Sequence, residues 1–127
     1  MQDEPTPTEL IKAVADFLRN DITPMISGHN AFKLRVGINA LDLVTRQLAL
    51  APDGYAAEAA RLSQLLGLQG SLGELNRALA DRIAKGEMDL QTPGLSDHLW
   101  QTTIDKLAVD QPNYASYRRE ADGKGRA

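Results

Sequence analysis

No cysteine occurs in the 127-residue chain. Its absence excludes disulfides, thiolate nucleophiles and cysteine-based zinc sites together. An excess of positive charge is missing too: 14 Lys and Arg against 17 Asp and Glu leave a formal net charge of −3. A nucleic-acid binder carries a basic patch or stripe, but here the basic residues are scattered, apart from Arg118-Arg119. No nucleic-acid partner is expected. No apolar run approaches the roughly 18 residues that a membrane-spanning helix needs. The opening MQDEPTPTEL has no basic region followed by an apolar stretch, so it does not read as a secretory signal. The expectation is a cytoplasmic protein that does not engage a membrane.

Internal repeats are absent, and no segment alternates long enough to make a strand. What is present is helical periodicity cut by turn residues. The sequence predicts an all-α fold: a single-domain bundle of about five helices over residues 5–114, followed by a polar, flexible tail over 115–127. Thr6, Pro7 and Glu9 form a capping box with proline at the first helical position. They open a helix that runs to about Asn20 on an apolar stripe of Leu10, Val14, Phe17 and Leu18. Pro24 should end that segment, because the residue before a proline is pushed away from helical angles. The second helix is expected over about 29–50, broken by APDGY. Asp53 would cap a third, alanine-rich helix that stops at Gly67. Ser71 and Glu74 make a second capping box. The fourth helix shows Leu72, Leu75, Leu79 and Ile83 on one face and stops at Gly86. Thr92 and Pro93 repeat the cap-then-proline start for a fifth helix over about 94–109. Its apolar face reads as Leu99, Trp100, Ile104 and Leu107, with Trp100 in the core.

The second helix has an unusual wheel. Leu34, Ile38, Leu41 and Leu48 fall on one side, and Phe32, Val36, Leu43 and Leu50 on another. Arg35, Asn39, Asp42 and Arg46 fill the sector between them, within roughly 60°. A helix with two apolar sides is expected to pack on both. The polar strip then has two readings. It is a surface network in which Asp42 pairs with Arg46 and Arg35 reaches Asn39 or Asp42. Or it docks a partner or an anionic group, for which arginine is the preferred side chain. On the fifth helix, Lys106 reads either as a snorkelling lysine or as an anion contact.

Catalytic signatures are missing. His29 and His98 lack metal-ligand spacing, and the carboxylates form no E-x-x-H pattern. GLQGSLG follows a helix and lacks a P-loop ending. There is no serine nucleophile elbow. Neither an enzyme in its own right nor a bound metal or cofactor is expected.

Three stretches carry a family likeness. They are PTPTELIKAVADFLRNDITPMISGHNAFKLRVGINALDLVTRQL, with an F-x-x-R-V-x-x-N-x-L core at Phe32, Arg35, Val36, Asn39 and Leu41, then LGELNRALADRIAKGEMD, then DKLAVDQPNY. Through them the chain resembles small, mostly uncharacterised helical bacterial proteins encoded beside a kinase of the aminoglycoside-phosphotransferase type and an acyl-CoA dehydrogenase. It is similar to the accessory subunit of the levulinate-pathway hydroxyacyl-CoA kinase. The resemblance implies a non-catalytic partner subunit that docks on such a kinase through a groove lined by the second and fifth helices. The residues implied for that surface are Phe32, Arg35, Asn39, Asp42, Arg46, Lys106 and Tyr114. Two alternatives stand beside it. One is a helical protein that binds an acyl-CoA or another anionic ligand through Arg35, Arg46 and Lys106. The other is a homodimer formed through the alanine-rich third helix.

Overall fold

A computed structural model describes residues 3–123. The fold is all-α, and five α-helices are present among the described residues. They are α1 (Pro7–Phe17), α2 (Gly28–Leu66), α3 (Leu72–Ala84), α4 (Leu95–Asp110) and α5 (Ala115–Ala121). A π turn (Leu18–Ile22) and a 3-10 turn (Thr23–Met25) link α1 to α2. The helix number matches the expectation, but the helices are not the same five. The expected second and third are one helix, α2, and part of the expected flexible tail is α5. The last four residues of that tail lie outside the described residues.

The chain divides into two compact units, residues 1–51 and 52–127. In the first, Thr6 and Glu9 cap α1 reciprocally: Thr6 Oγ1 accepts from the Glu9 N–H at 3.2 Å, and Glu9 Oε2 accepts from the Thr6 N–H at 2.7 Å. Pro24 does not end the helical path where expected. Thr23 keeps helical angles, and both its N–H and its hydroxyl donate to the Leu18 carbonyl. That five-residue closure is the π turn, and the path turns extended only at Ile26. The inward side of α1 is Ala15, with Ile11 and Leu18 half-buried. The expected stripe of Leu10, Val14 and Phe17 is exposed. On the α2 segment of this unit, Ile38 is buried and Leu34 and Leu41 are half-buried.

Pro52 sits inside α2 and does not break it. Proline deletes one N–H and crowds the preceding turn, which kinks or weakens a helix without always ending it. The alanine-rich flanks, Ala49 and Ala51 before it and Ala56, Ala57, Ala59 and Ala60 after it, are strong helix formers.

The second unit holds the larger apolar core. Leu62 and Leu66 of α2, Leu75 and Leu79 of α3, Met88 from the following loop and Leu95 of α4 form one buried cluster. Ser71 and Glu74 cap α3 as expected, and α3 ends before Gly86, which takes a positive φ of 71° that only glycine adopts without strain. The start of α4 differs from expectation. Gly94, with φ 87°, is the N-cap, and the Thr92 hydroxyl turns back to accept from the Asp89 N–H at 3.0 Å.

Candidate functional site

The polar strip lies on the α2 segment of the first unit. Arg35 and Asn39 are exposed, and Asp42 and Arg46 are half-buried. Asp42 takes its ion pair from outside the strip: Arg19 of the π turn donates to it at 2.6 Å. Arg19 also reaches Asp16 at 2.9 Å, and Lys12 reaches Asp16 at 2.7 Å. The result is an alternating chain of charge, Lys12–Asp16–Arg19–Asp42. Each member is solvent-exposed enough that the chain orients side chains more than it stabilises the fold. It holds the Asp16 carboxyl below its ordinary pKa, chiefly through the Lys12 hydrogen bond. It raises that of Arg19, chiefly through Asp42.

Beside the strip, the second apolar side of α2 is not packed. Phe32 is 54% exposed and Val36 53%, and Leu43 and Leu50 are exposed as well. Phe32 stacks on the exposed His29 ring at 6.3 Å. Phe32, Val36, Asn39, Leu43, Arg46 and Leu50 follow one another at steps of 4, 3, 4, 3 and 4. That is the spacing by which one helix seats on another.

A different polar group, with Glu58 and His98 buried, lies in the second unit. The inward line of α4 is Leu95, His98, Thr102, Asp105 and Val109, again at steps of 3 and 4. Arg61 of α2 faces its middle, donating through Nη2 to Thr102 and Asp105, both at 3.4 Å. Gln101 donates to Asp105 at 2.8 Å. Glu58, one turn before Leu62, is buried and accepts from Asn76 of α3 at 3.0 Å. His98 is only 4% exposed. Burial, reinforced by the Arg61 charge and opposed by Glu58, lowers its pKa below the ordinary 6.5. The imidazole is therefore neutral at neutral pH. Neither its Nδ1 nor the Nε of Arg61 has a hydrogen-bond partner, although both are buried.

The fold thus brings Arg35, Asn39, Asp42 and Arg46 together on one helix with Phe32. Lys106 and Tyr114 belong to the other unit. Lys106 is on the exposed side of α4, and Tyr114 is the N-cap of α5 and is exposed. Trp100, expected in the core, is 48% exposed, and Leu99 is exposed too. The sequence reading missed Arg19, Glu58, Arg61 and His98. For His98 a signal exists. The 3-and-4 line from Leu95 to Val109 has apolar ends and a polar middle, and a search for apolar residues alone passes over it.

No helix among the described residues is long and apolar enough to cross a membrane. No curated protein and no solved structure matches the chain. Residues 24–114, well over half of its length, match the family described as "Domain of unknown function (DUF6285)". That span takes in α2, α3, α4 and Tyr114, with both the strip and the polar line on α4. The chain belongs to the DUF6285 family.

Proposed function

We propose that this chain is a non-catalytic partner subunit of a phosphotransferase, one of the hydroxyacyl-CoA kinase type related to aminoglycoside phosphotransferases. It would serve acyl-CoA catabolism beside an acyl-CoA dehydrogenase. One observation carries the docking part of this reading: the unpacked apolar residues Phe32, Val36, Leu43 and Leu50, at steps of 4, 7 and 7 along one side of α2. Scattered exposed apolar residues are ordinary, but an aligned stripe bordered by charge is the pattern of an interaction surface. Asn39 and Arg46, interleaved with them, and Arg35 beside them then supply orientation, since polar and charged groups at an interface contribute more to specificity than to affinity. The kinase identity rests on the sequence resemblance.

The test is co-expression with the kinase-like protein encoded nearest to this chain, with a tag on one partner only. The two should elute together. Val36→Asp combined with Leu43→Asp should abolish co-elution while leaving helical circular dichroism unchanged, because both positions are exposed. Elution of the untagged protein in the flow-through would overturn the reading. So would undiminished co-elution of the double variant.

A further inference from the structure

The second unit carries a cleft of about 520 Å³. Small-molecule sites span roughly 300–1,000 Å³. Arg61, Gln64 and Leu65 of α2 line one part of it, and Asp97, His98 and Gln101 of α4 line another. Two members of this wall are incompletely satisfied within the protein. Arg61 is positioned by Thr102 and Asp105 at 3.4 Å, beyond the usual N–H···O range, and its Nε has no partner. His98 is buried with Nδ1 unpartnered. The Arg61 side chain is nonetheless 28% exposed, so its guanidinium keeps donors that Thr102 and Asp105 do not use and that a ligand in the cleft can take.

The lining narrows the ligand chemistry. Asp97 lines the same cleft as Arg61, which disfavours a polyphosphate. No group of three or more potential metal ligands gathers among the described residues, which disfavours a cation alone. An apolar ligand would strip water from both charges without replacing it. A small zwitterion fits the charged lining: its carboxylate accepts from the Arg61 guanidinium, and its ammonium donates to the Asp97 carboxylate. The Gln64 and Gln101 amides donate to or accept from either end, and the carbon chain lies on Leu65. We propose that this cleft binds a small amino-carboxylate. The site shares no residue with the α2 stripe, so the two readings stand or fall separately.

The experiment is thermal unfolding of the full chain with L-α-amino acids and with ω-amino carboxylates of increasing length. Each is run beside the matching carboxylate without the amine and the matching amine without the carboxylate, with inorganic phosphate as the anion control. At least one zwitterion should raise the melting temperature saturably, and neither of its halves should do so at the same concentration. Asp97→Asn removes a charge from an exposed position and keeps the side-chain shape. It should weaken that zwitterion roughly tenfold, the size expected for one charge-assisted hydrogen bond. Gln64→Ala, also exposed, should weaken it less and serves if the first variant misfolds. Neither variant should change kinase co-elution. The proposal is overturned if no member of the panel shifts the transition, if carboxylate or phosphate alone does as well as the zwitterion, or if both variants bind as the parent does.

Discussion

His98 is the residue whose protonation the fold decides. Its pKa in the folded chain lies below the ordinary 6.5 because burial and Arg61 both oppose a second positive charge. Above pH 6.5 the imidazole is neutral folded and unfolded, and it contributes no pH dependence. As the pH falls through 6.5 the unfolded chain takes up the proton first, so stability declines until the folded pKa is passed. The urea midpoint should therefore drop as the pH falls below the ordinary 6.5, and His98→Gln should flatten that drop. The lowered pKa values of Asp16 and Glu74 act in a lower window, beneath their ordinary 3.8 and 4.5. They do not mimic the effect. Elsewhere at this scale, Leu62 is fully buried at the centre of the larger core. Leu62→Ala should cost about 2–5 kcal/mol in denaturant unfolding, as lost burial plus a cavity. Ser71→Ala should cost about 1 kcal/mol, because the hydroxyl accepts the Glu74 N–H that nothing else in the helix satisfies.

Among the elements, α2 holds a proline that its neighbours override. Pro52→Ala should restore the missing hydrogen bond and relieve the crowded turn, raising stability by up to about 3 kcal/mol. A melting temperature that fell instead would mean that the native path at Pro52 departs from helical angles. The same proline marks where sequence reading fails. Both capping boxes were legible, because their hydrogen bonds are local and the residue types specify them. The fate of APDGY was not, because it turns on the helix propensity of residues on both sides and on burial of Ala51 and Leu62. The strip of Arg35, Asn39, Asp42 and Arg46 could be drawn on a wheel. Its ion-pair partner Arg19 could not, because the contact spans 23 residues. The polar line on α4 was hidden for another reason: His98, Thr102 and Asp105 are polar, and Arg61, which meets Thr102 and Asp105, is 41 and 44 residues from them in sequence.

For the whole molecule, the two units differ in what holds them. The second has a contiguous cluster from Leu62 to Leu95, while the buried apolar residues among those described in the first are Ala15, Ile38 and Ala51, two of them alanines. Small buried side chains remove little apolar surface from water. Backbone amides of α1 and of α2 before Pro52 should therefore exchange hydrogen faster than those of α3 and of α2 near Leu62. Native-state exchange resolved by fragment mass spectrometry checks this. Uniform protection across the chain would contradict it. Adding the proposed kinase partner should slow exchange around Phe32 to Leu50 and leave α3 unchanged.

The π turn has a consequence for phase. A π turn spends one residue more per turn than an α-helix does, and one residue is about 100° of rotation. Take that residue out, keep the rest of the first unit in place, and α1 turns by one position. Leu10 and Val14 would then stand where Ile11 and Ala15 now stand. Those are the residues that apolar periodicity alone selects as the inward face. One extra step of backbone thus decides which of two apolar faces of α1 is covered, and it leaves the larger side chains at the surface.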